Sequence, residues 1–508
     1  MQRLFNGRVR LFISAILLFM IMFSTGCVKK NSDDNNSGIY GSLTDTTQKS
    51  GGVISLFTTD IDSLNPLISK NFYMSSFLNL IYEGLVMTDE NFEIKPALAD
   101  SWSSRNQNKS WIFKIKTRVK WHNSTTFKVE DIIQTSKYIL SSSYNGNFKN
   151  SLNGVLSIKK VDKARVLFTL SKPDPLFYTK MIFPIFPESK VSSGEISKNL
   201  TPVGTGPFRF KSYKDNLIIL DRNTHYYLKQ AYLKSIKLKV FKSPSEALGG
   251  FLRGEIDVYP TSDYAAIENI RKGYNSFDSN MNKSDLILIN NQDKILKSPL
   301  VRKALSLLLS RDSIVQNSLY GNLTSSYLPN LFSDHYLNLF PYNPVEAQTN
   351  LNRAGWNPST KLEMIINSEN KSRMQIANQI KKKLETRNVK LNIKSLPFDQ
   401  FNSLIQTGDF QMALAGFETP SDGDFRYYLK FCGNTAFNSL INSWEVETDS
   451  SKRYDFYKQI ISKFSIETPV IGLYNYKTFI LCSRRIIGTL SSNSRFPYNG
   501  LASCSVSY

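Results

Sequence analysis

The sequence predicts an α/β protein with layered strands and helices, and three observations lead to this prediction. Residues 111–115 alternate apolar and polar side chains as a half-buried strand does, and residues 129–140 then repeat apolar side chains at helical spacing. The order of strand, helix and strand returns over residues 364–366, 376–384 and 389–393. The length of 508 residues allows two or three lobes, each with its own core. This alternation predicts helices packed on sheets.

The composition indicates a folded protein with a basic surface. Hydrophobic residues make up 41% of the chain, and 33 Phe with 25 Tyr supply more apolar mass than a disordered chain carries. The formal net charge of +21 at pH 7 favours weak association with an anionic membrane or cell envelope. The chain has no Arg-rich run and no repeated basic and aromatic pattern, so we expect no nucleic-acid partner.

The N-terminal segment predicts export. Three arginines precede the apolar run Leu11–Phe23, which is shorter than the roughly 20 residues that span a bilayer. Residues 1–26 resemble a bacterial lipoprotein signal, in which Cys27 is lipidated and becomes the mature N-terminus; an uncleaved anchor or a plain signal peptide is the alternative. Residues 27–50 are poor in apolar side chains and predict a disordered tether. We therefore expect a protein outside the cytoplasm, either periplasmic or lipid-anchored to the outer face of the cell membrane.

Short motifs in a fixed order extend over most of the remaining chain. The motifs are Ser63–Pro66, Tyr82–Leu85, Pro96–Trp102, Val119–His122, Glu130–Ile132, Gly204–Phe208, Arg222–Asn223, Gly254–Val258, Asn290–Asn291, Val301–Leu305, Arg311–Asp312 and Ala354–Trp356. Together they resemble the extracellular solute-binding proteins of family 5, the peptide and nickel class that serves ABC importers.

The resemblance implies a two-lobed, periplasmic-binding-protein-like fold with two hinge crossings of the chain. Residues 51–288 would form the first lobe, residues 289–470 the second, and residues 471–508 would return to the first lobe. A ligand enclosed between the lobes would be protected from water, and closure would report its presence to a membrane partner. The implied partners are an oligopeptide or another small ligand, an ABC permease and its ATPase subunits. We expect a monomer without a cofactor.

Two of the motifs also have a purely structural interpretation. Gly204–Pro207 lacks the Gly-Lys-Ser/Thr ending of a phosphate-binding loop, so we expect a tight turn before a strand that begins at Phe208. Residues 301–308 place apolar side chains at helical spacing, which predicts a core-facing helix with Arg302 and Lys303 on its solvated face.

The candidate ligand anchor departs from the pattern of the family. In the peptide binders a strand ends in Gly-Trp, and an Asp three residues after the Trp bonds the α-ammonium of the ligand. In this chain Phe417 replaces the Trp and Pro420 replaces the Asp. Glu418, Asp422 or Asp424 could supply the carboxylate, but an ordinary solvated turn contains such acids too, and both interpretations stand. A blocked peptide, a long peptide bound internally or a non-peptide ligand is the alternative.

Two further groups of residues are candidates for contact with the ligand. Asn71, Phe72 and Tyr73 follow the first motif at the distance where family members present ligand-contacting loops. Tyr474 and Tyr476 lie near the predicted second crossing, and a hydroxyl on an apolar ring suits a closing cleft. Packing in the core of the lobe or at the hinge is the alternative for both groups.

The sequence offers no constellation for catalysis or for a metal site. The only histidines are His122, His225 and His335, and no two are within four residues of each other. We therefore expect no catalytic residues, no metal ligands and no enzyme, with a Ser or Cys hydrolase as the alternative to be tested by assay. The binding alternatives are a receptor for a signalling or pheromone peptide and a binder of a metal complex or an oligosaccharide.

Three cysteines follow the lipidation candidate, and their spacing does not match a metal site. They are Cys432, Cys482 and Cys504. Outside the cytosol we expect one disulfide and one free thiol, with all three pairings open.

Replacing Cys27 with Ser should release the protein from membranes into the medium, because a pair of acyl chains gives stable anchoring. Membrane fractionation followed by immunoblotting measures this, and Ser37→Ala in the tether is the control. If the Cys27→Ser protein stays membrane-bound at the wild-type level, the lipoprotein prediction is wrong and Leu11–Phe23 acts as the anchor.

Overall fold

A computed structural model describes residues 50–507 apart from residues 91–92, 195, 197–199, 317–321, 324–340, 419–428, 430–432, 448, 491 and 494. The described residues belong to one compact unit of the chain, residues 48–508. The predicted signal, Cys27 and nearly all of the predicted tether lie outside the described residues. Within the described part, no helix is long and apolar enough to cross a bilayer.

The described strands fall into five sheets. They are β1 Val53–Thr58, β2 Val86–Thr88, β3 Ile94–Pro96, β4 Ala99–Arg105, β5 Ser110–Ile115, β6 Val155–Lys160, β7 Arg165–Leu170, β8 Phe208–Lys214, β9 Leu217–Arg222, β10 Ser235–Val240, β11 Val258–Thr261, β12 Asn275–Ile289, β13 Asn322–Leu323, β14 Lys361–Asn367, β15 Lys390–Leu396, β16 Met412–Glu418, β17 Val470–Cys482, β18 Ile486–Ile487 and β19 Ser505–Val506.

Helices connect these strands. They are α1 Phe72–Leu78, α2 Val129–Leu140, α3 Glu188–Ser192, α4 Pro244–Leu252, α5 Tyr264–Ile267, α6 Pro299–Leu307, α7 Arg311–Gln316, α8 Pro344–Arg353, α9 Lys371–Glu385, α10 Phe398–Thr407, α11 Asn438–Val446 and α12 Ser450–Glu467. Helix and strand alternate as predicted, and the α/β fold class is confirmed.

The first lobe is built on two four-stranded sheets, with strand orders β1-β10-β9-β8 and β4-β5-β7-β6. Strand β5 shows the predicted alternation, because Trp111, Phe113 and Ile115 are buried while Lys114 is exposed. Helix α2 begins where Asp131 accepts a hydrogen bond from the backbone nitrogen of Lys128 at 2.8 Å. These elements share one apolar core.

The second lobe is a three-layer arrangement around the largest sheet, whose order is β11-β17-β12-β16-β14-β15. Ile287 and Ile289 of β12 pack in one apolar cluster with residues of α6, α8 and α9. Leu286 and Leu288 face the opposite cluster, which contains residues of α10, α11 and α12. Because both faces of β12 are covered, its sequence is a continuous apolar run there.

The predicted turn at Gly204–Pro207 is present and leads directly into β8. Its backbone passes so close to the preceding motif that a Cβ on Gly204 would lie 1.8 Å from the carbonyl oxygen of Ile81. The imidazole of His122 lies 3.0 Å from the carbonyl oxygen of Gly206 and accepts a hydrogen bond from the nitrogen of Gly204 at 3.2 Å. Burial lowers the pKa of His122 to about 4. These motif residues therefore hold the fold of the first lobe together.

The structure contradicts the prediction that Arg302 lies on the solvated face of its helix. It is 2% exposed, and its guanidinium donates hydrogen bonds to the carbonyl oxygens of Glu467 at 2.9 Å, Thr468 at 3.1 Å and Leu296 at 2.9 Å. The C-terminal carbonyls of α12 lack partners within their helix, so a buried cation stabilises them. Lys303 does lie at the surface, paired with an exposed glutamate.

The predicted disulfide is wrong for the two cysteines that the structure describes. Cys482 and Cys504 are both buried free thiols. Both belong to the core of the first lobe, where desolvation raises the pKa of Cys504 to about 11 and disfavours the reactive thiolate. Since any pairing of the three would need one of these two, the expected pair is absent; Cys432 lies outside the described residues.

Replacing Arg302 with Ala should lower the free energy of unfolding by about 3 kcal/mol or more, since several buried carbonyls lose their donor. Lys303→Ala is the matched control and should cost about 1 kcal/mol or less, because it breaks only an exposed pair. Urea unfolding followed by circular dichroism measures both changes. Equal effects of the two substitutions would contradict this role of Arg302.

Candidate functional site

Two long strands carry the chain between the lobes. Residues 275–280 of β12 pair with residues 477–482 of β17, beside β11 and the core of the first lobe. Farther along, residues 283–289 of β12 pair with β16 in the sheet of the second lobe. The pairing between β12 and β17 shifts register between Asn280 and Ser284. The two predicted crossings are therefore adjacent antiparallel strands.

A buried charged cluster lies at this crossing, on the side of the second lobe. Asp285 of β12 is fully buried, and Arg373 of α9 donates hydrogen bonds to its two oxygens at 3.0 and 2.8 Å. The hydroxyl groups of Tyr474 and Tyr476 donate to Oδ2 of the same carboxylate at 2.7 and 3.1 Å. Both oxygens of Asp285 are thus engaged. We call these four residues the Asp285 cluster.

The protonation states in the Asp285 cluster follow from burial and from the shared carboxylate. Burial lowers the pKa of Arg373, but the adjacent Asp285 outweighs this and holds the pKa above its ordinary value. Burial and the carboxylate raise the pKa of Tyr476 to about 12, and they raise the pKa of Tyr474 as well. Near neutral pH the guanidinium is charged and both tyrosines are neutral donors.

Gly416 of β16 makes the Asp285 cluster possible. It is the register partner of Asp285, and the guanidinium of Arg373 crosses directly above it. A Cβ at this position would lie 1.8 Å from Nη2 of Arg373 and 2.7 Å from Oδ1 of Asp285. Glycine is required here for a close approach of a side chain to the backbone.

Near the Asp285 cluster, no described strand lies beside Ala415 and Gly416 on one edge of β16. Strand β14 pairs with residues 412–414 of β16 only. Residues 415–418 are paired with β12 on the other side, and among the described residues no strand continues the ladder on the β14 side. An extended ligand could add to this edge through its main chain.

Phe417 and Glu418, two of the predicted anchor residues, end this strand. The Phe417 side chain is buried in the apolar cluster that contains α11 and α12. Glu418 is the last residue of β16. Pro420, Asp422 and Asp424 lie outside the described residues, so the role of the two acids as the anchor stays a prediction.

The structure places the other predicted contacts in two separate places. Tyr474 and Tyr476 are part of the Asp285 cluster. Asn71 caps helix α1 by accepting hydrogen bonds from the backbone nitrogens of Tyr73 and Met74 at 3.0 and 3.1 Å. Tyr73 packs on Phe57 with a ring separation of 4.3 Å, whereas Phe72 is 44% exposed. Contact of any of these residues with a ligand stays a prediction.

The sequence did not indicate that Asp285, Arg373 and Lys283 belong to the candidate site. The ammonium of Lys283 lies 5.0 Å from the ring centre of Tyr476. One signal for Asp285 was available, because an acid that adjoins the apolar run 286–289 needs a partner if the strand buries it. The partner itself was not visible, because Arg373 lies 88 positions farther along the chain.

Two α/β lobes joined by paired crossing strands are the architecture of a two-lobed solute-binding protein. The family model described as "Bacterial extracellular solute-binding proteins, family 5 Middle" matches residues 93–439. The chain belongs to this family, and the resemblance predicted from the motifs is confirmed.

Known relatives and solved structures agree with this assignment. The chain is 27% identical over 374 residues to the oligopeptide-binding protein AppA of Bacillus subtilis, covering 69% of this chain and 67% of that protein. It is 24% identical over 324 residues to the nickel-binding periplasmic protein of Escherichia coli, covering 60% and 61% of the two chains. The substrate-binding protein CtaP of Listeria monocytogenes has the same fold, with a TM-score of 0.74 at 22% identity, covering 90% of this chain and 100% of that one.

Replacing Gly416 with Ala should destabilise the protein by about 3–5 kcal/mol, because a displaced Arg373 leaves Asp285 as an unpaired buried charge. Gly249→Ala in α4 is the matched control and should stabilise slightly, since a helical glycine gains from alanine and only the end of the Arg253 side chain is near. Thermal unfolding compares the two variants. If Gly416→Ala unfolds like the control, Arg373 does not depend on Gly416.

Proposed function

We propose that this chain is the substrate-binding lipoprotein of an ABC importer, which captures oligopeptides between its lobes and delivers them to a membrane permease. The edge of β16 at Ala415 and Gly416, where no described strand pairs on the side of β14, lies beside the crossing strands and carries this proposal. Main-chain hydrogen bonds to such an edge give affinity without regard to the ligand's sequence. The oligopeptide-binding relative supports this ligand class.

The proposal also concerns the membrane anchoring, the oligomeric state and the mode of action of the protein. The lipid on Cys27 would keep the protein at the outer face of the membrane near its permease. The protein would act as a monomer without a cofactor. It would bind its ligand without chemical conversion, so that closure alone signals the loaded state.

The Asp285 cluster limits where a free peptide amine could be held. Asp285 already accepts four hydrogen bonds from Arg373, Tyr474 and Tyr476, and its charge is balanced by Arg373. An incoming ammonium would have to displace a buried guanidinium. We therefore propose that the carboxylate for the amine is Glu418, Asp422 or Asp424, at the end of β16 or shortly after it in the sequence.

Native mass spectrometry of the protein purified from rich medium tests the ligand class, because a closed cleft retains its ligand and the released mass identifies it. We expect short peptides. Release of a nickel complex or a sugar instead would overturn the peptide proposal and favour the chemistry of the nickel-binding relative or of an oligosaccharide binder. Calorimetric titration of a peptide pool gives the affinities, and hydrolysis of the same pool would contradict the role as a binder.

Acetylation of the best-binding peptide at its amine should weaken binding more than about tenfold. Burying an ammonium without a carboxylate costs several kcal/mol, more than a few hydrogen bonds at about 1 kcal/mol each return. Asp422→Asn or Asp424→Asn should abolish this difference, whereas Asp409→Asn at an exposed position before β16 should keep it. Equal affinity for free and acetylated peptides would contradict the amine anchor and favour peptides bound internally.

A further inference from the structure

The two lobes also touch away from the crossing strands, through a rigid loop of the first lobe. Residues 173–180 follow β7 and contain two prolines and a turn of 3₁₀ helix. The carboxylate of Asp174 accepts hydrogen bonds from the nitrogen of Leu176 at 3.1 Å and from Nζ of Lys180 at 2.8 Å. The indole of Trp111 donates to the carbonyl of Asp174 at 3.0 Å. The loop is thus fixed in shape and held on the first lobe.

The tip of this loop reaches the core of the second lobe. The Leu176 side chain is 5% exposed and belongs to the apolar cluster that contains Phe437, Ile441 and Trp444 of the second lobe. Tyr178 packs against the cores of both lobes. Its ring stacks on Trp102 of β4 with a centroid separation of 5.4 Å.

A cation of the second lobe completes the contact. Arg453 of α12 lies close enough to Tyr178 to interact electrostatically with it, and its guanidinium lies 5.7 Å from the ring centre of Trp444. Burial lowers the pKa of Arg453, and the nearby Tyr178 and Glu447 oppose this effect only in part. Burying this arginine therefore carries a cost that solvent would remove if the lobes separated.

These contacts connect rigid parts of different lobes through side chains. A rotation about the crossing strands can break them without breaking any strand or helix. The apolar contact of Leu176 favours the joined state, and the desolvation of Arg453 opposes it. Such a contact can shift the balance between open and closed lobes.

We propose that Leu176, Tyr178 and Arg453 form a clasp between the lobes that stabilises the closed state and so sets ligand affinity without touching the ligand. The clasp rests on the proposed function in one respect, namely that a ligand is captured by closure. The measured affinity scales with the population of the closed state. Loss of the clasp therefore weakens binding while the ligand site stays unchanged.

Four variants test the clasp: Leu176→Ala, Tyr178→Phe, Arg453→Gln and the double variant of the last two. The controls are Lys172→Ala, next to the loop, and Lys452→Ala, next to Arg453; both side chains are exposed. The probe is the best-binding free peptide of the pool, titrated by calorimetry. Small-angle scattering of each ligand-free protein reports the opening of the lobes independently of any peptide.

Leu176→Ala should raise Kd about tenfold, and Tyr178→Phe or Arg453→Gln about three- to tenfold each. The Kd of the double variant should not exceed the higher of the two Kd values of Tyr178→Phe and Arg453→Gln, because each of these substitutions removes the same contact. The radius of gyration should increase in all four variants and in neither control. Effects on Kd that multiply, or equal radii for the wild type and all four variants, would overturn the clasp. If the wild type binds no peptide, the proposed ligand is wrong, and the scattering result still decides on the clasp.

Discussion

The buried carboxylate of Asp285 is the constraint on which the geometry of the crossing depends. An ionised group removed from water needs a cation and several donors, or it costs several kcal/mol. Arg373 and the two tyrosines of β17 supply them. To reach the carboxylate, Arg373 must cross over β16, and this is possible only because residue 416 is glycine. One buried charge thus ties α9, β12, β16 and β17 together at the position where the chain leaves the second lobe.

This rigidity has a consequence for closure. On the side of the second lobe, the pairing of β12 with β17 also shifts register between Asp285 and Leu286, but the side-chain bonds of the Asp285 cluster and the pairing of β12 with β16 hold the strands there. Immediately toward the first lobe, the pairing of β12 with β17 shifts register between Asn280 and Ser284, so fewer ladder bonds resist bending there. Rotation of the lobes should therefore concentrate at this irregular step. The Asp285 cluster would then move as part of the second lobe and keep its shape in both states.

The parts of the fold that sequence predicts well are those set by local periodicity. Helix α2 and strand β5 follow from spacing alone, and the turn before β8 follows from its glycines and proline. Arg302 was placed in solvent because its partner, the end of α12, lies 165 positions away. In the site, Tyr474 and Tyr476 could be predicted as candidates, but Asp285 and Arg373 could not be paired without the register of β12 and β16. Interactions between distant elements leave no periodic trace in the sequence.

The motifs that identify the family report on the fold more than on the ligand. Glu83 of one motif is half-buried and accepts hydrogen bonds from Thr205 at 2.8 Å and from Tyr226 at 2.8 Å. Such motif residues satisfy one another inside the first lobe and have little capacity left for a ligand. The chemistry of the ligand must then be decided by residues outside the motifs. Asp285 is saturated, so the prediction that a ligand amine is held by the acids after Phe417 concerns the segment where this chain departs from the peptide-binding pattern.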